Sequence, residues 1–502
     1  MVTRFFFVLL LVVTVHLTAA KGGPELSERE AEFYRIVPLP TPEEVALEAG
    51  ALCFLGPDRL ACATRIGDIW IAEGVLGDTP QPRWKQFASG LHEVLGLAVR
   101  PGDPEGWIYA TQRGELTRMR DTNGDGRADL FEDVGDPWEI DGDYHEYAFG
   151  SKFDRQGDLW VVLCLTGSFN SNNPYRGWCL KMSPDGKWTP ICSGVRSPGG
   201  IGFNAEGDVF YTDNQGPWNG ACKLQQLKPG AFVGHPGGNK WFDEPATKDA
   251  IAAAGLQRPV ADPVSQSRLY KEMKKIPELL PPAVYFPYPK MGQSAAGFAF
   301  DGTGKFGPFK EQLFVGDQTQ SLVMRVFLEK VGDRYQGACF PFRQGFDSGC
   351  LGLEFASDAS LFVYGTDRGW GARGGKPFAL QRLVWTGEVP FEIHEMRALP
   401  DGFEFTFTEP LDATTASDPS SYTVETYTYI YQSTYGSPEV DQTKPVVQKI
   451  KIGADHRSVR VTLDSVAEGH IHEFHLSGVR SASGEALLHD AAYYTLFYPP
   501  AK

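Results

Sequence analysis

The sequence predicts an all-β protein: a six-bladed β-propeller followed by a small immunoglobulin-like β-sandwich. Three observations predict it. One strand-and-turn pattern recurs six times, as LCFLGPDRLACATRIGDIWIAEG (52–74), LGLAVRPGDPEGWIYATQRGELTRM (95–119), FGSKFDRQGDLWVVLCLTG (149–167), GGIGFNAEGDVFYTDNQG (199–216), AGFAFDGTG with EQLFVGDQTQSLVMRV (296–326), and LGLEFASDASLFVYGTDRGWG (351–371). Each copy alternates apolar and polar residues and turns at Gly or Asp, which is the signature of short antiparallel strands. The copies recur every ~40–60 residues, the spacing of multi-stranded blades around a central channel. After Val389-Pro390 the Gly-Asp corners stop, and six alternating stretches from Phe403 to Tyr498 read as a sandwich.

The elements follow in order. Residues 1–20 have the three parts of a signal peptide: Arg4, the apolar run Phe5 to Val15, and the small-residue site Thr18-Ala19-Ala20. The apolar run is shorter than the ~20 residues of a membrane span, and no later segment could cross a bilayer. A periplasmic or secreted protein, not membrane-spanning after signal removal, is the expectation. Residues 21–390 form the propeller, opened by a leader whose Phe33 to Val37 packs as an edge strand. Blade one includes the strands around Ala51 to Ile71. Between Gly234 and Tyr285 the rhythm breaks, and Lys248 to Leu256 and Ser265 to Leu280 carry helix-forming residues, so an insertion covering one face of the ring is expected. Residues 391–502 form the sandwich.

Composition narrows the function. A 42% hydrophobic, 13% aromatic chain is globular, and a net charge of −16 argues against a nucleic-acid surface. No glycine-rich phosphate loop stands at a strand–helix junction, so NAD and ATP have no support. Eight cysteines in an exported chain are compatible with disulfides. Cys53 and Cys62 flank the Gly56-Pro57-Asp58-Arg59 turn, Cys339 and Cys350 bracket a loop, and Cys164, Cys179, Cys192 and Cys222 fall in adjoining blades. Small buried thiols are the other reading. There is no CxxCH for covalent haem and no CxxC for a zinc knuckle or a thioredoxin-like site.

The sharpest local motif is DTNGDGRAD from Asp121. Asp121, Asn123, Asp125 and Asp129 stand at positions 1, 3, 5 and 9 of a calcium loop, with Gly126 at the turn and Glu132 at position 12. Calcium would staple a connection between blades. Asp213, Asp317 and Asp367 occupy equivalent places in three blades. They either converge on a central ion, as a metal-dependent lactonase would need, or each caps its own turn. His145 precedes the third repeat and could serve as a general base near neutrality. Arg196, in a glycine-rich turn, could clamp an anion through two parallel hydrogen bonds. His470 and His472 face one side of a strand, with His475 nearby, and read as incidental.

These residues carry a resemblance. FLGPDRLACATRIGDIW, LGLAVRPGDPEGWIYAT, CLKMSPDG with CSGVRSPGGIGF, and LKPGAFVGHP match in order the FLPDGRLLVTERPGRL, GLLGVALHPDF, LRLNPDG with SYGHRNPQGLAW, and IRPGRNYGWP of the glucose/sorbosone dehydrogenase family. That family comprises six-bladed propellers and includes soluble quinoprotein aldose dehydrogenases. The similarity covers about residues 50–385 and is nearer to poorly characterised secreted bacterial propellers described as membrane-bound dehydrogenases. It implies calcium, pyrroloquinoline quinone, a carbohydrate or small alcohol substrate, and an external electron acceptor. It places Arg196 at a cofactor-binding arginine and His145, offset by one residue, at the catalytic base. Ser197 replaces an Asn of the motif, Thr64 an acidic residue, and Asp347-Ser-Gly-Cys-Leu-Gly-Leu the family's late arginines. The alternative is a propeller that binds carbohydrate or protein without catalysis.

Overall fold

A computed structural model describes residues 24–165 and 172–501; the expected signal peptide and the end of the third repeat lie outside them. Six four-stranded antiparallel units stand around one axis. Blade one comprises Ala49–Gly56, Arg59–Thr64, Ile69–Glu73 and Arg83–Ala88; blade two Gly96–Val99, Ile108–Thr111, Leu116–Arg120 and Leu130–Gly135. Blade three comprises Ala148–Phe153, Leu159–Leu163, Trp178–Met182 and Trp188–Ser193; blade four Pro198–Phe203, Val209–Asp213, Cys222–Gln226 and Val284–Phe286. Blade five comprises Ala295–Phe300, Leu313–Asp317, Leu322–Val331 and Arg334–Gln344. Blade six takes only three strands from its own repeat, Gly352–Phe355, Leu361–Thr366 and Phe378–Trp385.

Its fourth strand is the leader. Tyr34–Pro38 pairs antiparallel with Phe378–Trp385, from Tyr34 opposite Trp385 to Pro38 opposite Gln381. The expected edge strand therefore closes the ring on its last blade. A Pro is tolerated there because an edge strand leaves one row of backbone groups unpaired.

Apolar faces of adjacent blades pack on each other and make the core. Leu159, Val161, Leu163, Trp178 and Leu180 of blade three lie against Trp107 and Tyr109 of blade two. At the axis each inner strand contributes a glycine: Gly50, Gly96, Gly150, Gly200, Gly297 and Gly352. The approach demands it, since a Cβ on Gly96 would sit 2.4 Å from the carbonyl oxygen of Gly150. The channel shrinks to a cavity of about 40 Å³. At its far end Lys152 Nζ of blade three lies 2.9 Å from Glu354 Oε2 of blade six.

The insertion leaves blade four between its third and fourth strands. It holds a 3-10 helix, Pro236–Phe242, and helices Lys248–Ala253 and Leu269–Glu272. The second expected helix is a single turn because Pro277 disfavours helical geometry at the residue before it. The insertion is fastened to blade three, whose Trp178 Nε1–H donates to Gly238 O at 2.7 Å.

Beyond the ring, two sheets enclose a core of Phe403, Phe405, Val459, Val461, Phe474 and Tyr494. One sheet has the order Ile393–Leu399, Gly402–Phe407, Ser458–Leu463, Val447–Ile452. The other runs Ala491–Leu496, His470–His475, Thr423–Tyr429, Glu439–Thr443 and continues blade five, because Gly337 to Cys339 pair with Tyr493 to Thr495. Among the described residues, no helix is long and apolar enough to cross a membrane.

All eight cysteines are buried free thiols, contrary to the expected bridges. The turn at Gly56 and Arg59 would set Cys53 opposite Cys62, but a bulge at Leu55 slips the register by one. Cys62 then faces Leu52 and Cys53 faces Ala61, which sends the two thiols to opposite faces of the sheet. Cys179 and Cys192 are directly opposite across blade three, and burial raises the Cys179 thiol's pKa well above its usual value.

Candidate functional site

At one end of the ring, the loops entering each inner strand meet the loops between second and third strands. His145 enters blade three and lines the cavity at this mouth; Arg196 enters blade four next to Ser197, which also lines it, and its charge reaches the imidazole. His145 is half-buried, its ring stacks on exposed Trp370 at 6.2 Å and 24°, and Tyr144 meets it edge-on at 4.6 Å. Its backbone N–H donates to Asp143 Oδ1 at 3.1 Å. Burial, then the Arg196 charge, lowers the imidazole pKa below 6.5; Arg113 adds to this and Asp143 opposes it. The ring is therefore neutral at pH 7 and can accept a proton.

Arg196 is built differently. Its backbone N–H and that of Ser197 donate to Asp213 at 3.2 and 2.7 Å, which fixes the turn. Its guanidinium gives Nη1–H to Gln215 O at 2.8 Å and lies flat on Gly216, where a Cβ would come within 2.2 Å of Cζ. Among the described residues it has no carboxylate partner within 4 Å.

Three further arginines share the mouth. Arg65 and Arg113 both grip Glu93, at 2.9 Å from Arg65 Nε and 3.0 Å from Arg113 Nη1, and Arg113 lies 4.9 Å over the Tyr147 ring. Glu93 holds a left-handed backbone, φ 48°. Such a conformation costs a non-glycine residue about 1–2 kcal/mol, and two arginines hold it in place. Arg65 also donates Nη1–H to Arg368 O at 2.9 Å, and Arg368 pairs with Glu48. The cavity bounded by Arg65, His145, Asn214, Gln318, Arg368 and Trp370 measures about 50 Å³. A larger groove, about 750 Å³, lies on the sandwich near Val424, Lys444 and His475; there Lys444 pairs with Glu425 and His475 with Glu473, so its charged groups are already matched.

The sequence does carry a signal for the extra arginines. Thr64-Arg65-Ile66-Gly67, Thr111-Gln112-Arg113-Gly114 and Thr366-Asp367-Arg368-Gly369 close the second strands of blades one, two and six. Alignment on the neighbouring Asp positions hides it.

Those Asp positions do not converge. Asp213 caps the Arg196 turn and accepts from Tyr211 Oη at 2.8 Å. Asp317 accepts from Gln293 N at 2.7 Å, Ser294 N at 2.8 Å and Gln320 N at 2.8 Å, while Asp367 is exposed. Asp213 and Asp317 cap turns in their own blades and Asp367 is exposed, so among the described residues these carboxylates form no ligand set for the central ion of a lactonase. Nor do the histidines gather. His472 is buried against Phe403 and accepts from Ala467 N, whereas His475 pairs with Glu473 and Asp490.

The Asp121 loop folds on itself through turn hydrogen bonds, and among the described residues no three Asp, Glu, His or Cys side chains gather as a metal site. Asp121 Oδ2 accepts from Gly126 N at 2.7 Å, Asn123 Oδ1 from Asp125 N at 2.9 Å, and Asp129 Oδ1 from Thr122 N at 2.8 Å. Glu132 points elsewhere: it sits on the outer strand of blade two and pairs with Arg118 at 2.6 and 2.8 Å, because cross-strand register places the two opposite each other. Lys85 donates to Asp125 O. The expected calcium ligand set is therefore not assembled, and Glu132 stands apart from it with Arg118.

No family model and no curated protein matches the chain. Solved structures do. A Thermus thermophilus protein described as an oxidoreductase (glucose dehydrogenase) is 20% identical, with TM-score 0.50 over 70% of this chain and 100% of that one. The PQQ-bound aldose sugar dehydrogenase of Streptomyces coelicolor is 16% identical, with TM-score 0.46 over 70% and 98%. The Escherichia coli soluble aldose sugar dehydrogenase is 14% identical, with TM-score 0.45 over 70% and 99%. At 20% identity the first likeness establishes the propeller fold.

Proposed function

We propose that the mouth is the active site of an exported, quinone-dependent sugar or small-alcohol dehydrogenase, with His145 as base and Arg196 as cofactor anchor. One observation carries it: a neutral imidazole and an arginine without a carboxylate partner face the same opening, and the arginine depresses the imidazole's pKa. A base must be unprotonated at the working pH, and an anion clamp must have N–H groups to give. The donor set fits pyrroloquinoline quinone, a planar polycarboxylate. Arg196 would hold a carboxylate, with Arg65 and Arg113, which share the single carboxylate of Glu93, adding positive potential. When bound, the quinone supplies the two-electron acceptor, which an external partner would reoxidise. The chain's own task is to take the substrate's hydroxyl proton on a ring nitrogen of His145. Exposed Trp370 and Tyr144 offer the faces on which sugar rings pack. Any calcium recruited to the Asp121 loop would be structural in this reading.

One observation favours a second reading, a propeller that binds carbohydrate or protein without catalysis. The enclosed part of the mouth, about 50 Å³, falls far below the roughly 300 Å³ of a typical ligand pocket. Reconstitution separates the two. The protein is mixed with calcium and pyrroloquinoline quinone, desalted, and read by the absorbance of retained cofactor. Retention with sugar-dependent reduction of an artificial acceptor supports the dehydrogenase; a wild-type protein that never retains quinone leaves the binding role. Activity should hold at neutral pH and fall only below pH ~6.5, as the imidazole gains its proton.

A further inference from the structure

We propose that the C-terminal sandwich completes the ligand site at the mouth, with Tyr435 as the residue that positions Arg196. The inference rests on the mouth being a ligand site, whatever the ligand's redox chemistry.

The segment from Tyr429 to Glu439 leaves the sandwich and runs along the outer loop of blade four. Main-chain bonds fasten it there. Trp218 N–H donates to Gln432 O at 2.6 Å, Gly436 N–H to Gly216 O at 3.1 Å, and Ser437 N–H to Gly220 O at 3.2 Å. Tyr431 exchanges two backbone bonds with Ser267 of the insertion, at 3.0 and 3.1 Å, and gives its hydroxyl to Gly234 O. Three parts of the chain thus hold the segment in one position.

At its tip stands Tyr435, 67% exposed, a large apolar ring that buries little of itself. Its centroid lies 5.4 Å from Arg196 Cζ. The guanidinium has Tyr435 on one side and the Gly216 backbone on the other, with Nη1 tied to Gln215 O. Its Nε and Nη2 make no hydrogen bond among the described residues.

The other cations of the mouth show what this arrangement does. Arg65 and Arg113 are immobilised by the one carboxylate of Glu93, and Arg368 by Glu48, so each spends N–H groups on a carboxylate of the protein. Arg196 is held by a neutral ring, so its side chain is ordered while its charge and two N–H groups stay available. Arginine is a rotamer-rich side chain, and ordering it beforehand raises the affinity of any anion it meets. The fitting ligand is a planar carboxylate that accepts a pair of parallel hydrogen bonds.

Calorimetric titration of the full-length protein tests this with two probes, pyrroloquinoline quinone and benzene-1,3,5-tricarboxylate, the second being redox-inert. Tyr435→Ala should weaken binding of each probe the wild type binds by roughly 3- to 30-fold, the range of a cation–π contact, and Tyr435→Phe should restore it to within about twofold. In an Arg196→Ala background, Tyr435→Ala should cost nothing further, because its effect runs through the arginine. Tricarboxylate binding that depends on Tyr435 without quinone binding would keep this inference and remove the dehydrogenase reading. Quinone binding unchanged in Tyr435→Ala would do the reverse. Additive losses in the double variant, or a wild type that binds neither probe, would overturn the positioning role.

Discussion

The two ends of the channel use the same materials to opposite purpose. At the far end, Lys152 and Glu354 reach across the axis from facing blades and neutralise each other at 2.9 Å. At the mouth, Arg196 has no such partner, His145 is desolvated rather than paired, and Trp370 stands half in solvent. A closed charge pair finishes a fold. A clamped cation without a counter-ion, beside a neutral base, leaves interactions to be completed by something else. In the proposed reading, the mouth is the working end.

The largest expected effect falls on the base. His145→Ala should lower turnover by roughly 10²–10⁴-fold with quinone still retained, because proton transfer alone is lost. Steady-state kinetics on the reconstituted protein, with absorbance for cofactor content, would check both halves. The melting temperature should barely move, since His145 precedes its strand.

A buried histidine that is fully paired makes the sharpest contrast with His145. His489 lies between Glu392 at 2.6 Å and Glu30 at 2.9 Å and joins the sandwich to the N-terminal helix, Pro24–Phe33. Desolvation lowers its pKa, but Glu392 and then Glu30 outweigh that and bring it to about 9. A folded-state value above the unfolded one of ~6.5 contributes stability that is complete below pH 6.5 and lost as pH rises through about 9. The melting temperature should fall between pH 7 and pH 10, by an amount corresponding to about 3 kcal/mol. His489→Gln should be less stable at pH 7 and flatten that slope. A wild-type curve that is level across this range would mean that the charge is not held as described.

The Asp121 loop gives the next effect. If calcium joins Asp121, Asn123, Asp125 and Asp129, calorimetry should show a higher melting temperature in calcium than in chelator, corresponding to about 2.7 kcal/mol of added stability at a hundredfold excess over Kd. Asp125→Asn should reduce the difference, whereas Glu132→Gln should not, because Glu132 belongs to Arg118. Identical melting with calcium and chelator would remove the ion from the account. The smallest effect is at the far end. Glu354→Gln should destabilise by about 1–2 kcal/mol, leaving Lys152 without its partner, and leave turnover as it was. A loss of activity there would erase the distinction between the two ends.

The ring was legible because its evidence is local. Each blade carries its own alternation and its own Gly or Asp corner, and six copies in order leave little choice of architecture. The mouth was half legible. His145 and Arg196 could be found from their places next to blade starts, and the Thr-x-Arg-Gly pattern at Arg113 and Arg368, with its variant Thr-Arg-x-Gly at Arg65, could have added the rest. Symmetry alone left Asp213 and Asp317 open between a shared ion and separate turn caps, and the structure shows the caps, with both accepting from turn N–H groups. The cysteine pairing failed on one bulged residue, Leu55, which a propensity reading cannot locate. The contact of Tyr435 with Arg196 joins the sandwich to the ring, and no spacing rule reaches across that separation.

The claim that the mouth is the working end is tested most directly by a crystal structure grown with pyrroloquinoline quinone and calcium. The account predicts quinone density at the mouth, with a carboxylate on the free N–H edge of Arg196 and His145 facing the space beside it. Cofactor bound on the sandwich groove or at the Lys152–Glu354 end, or a mouth empty at saturating quinone, would contradict it.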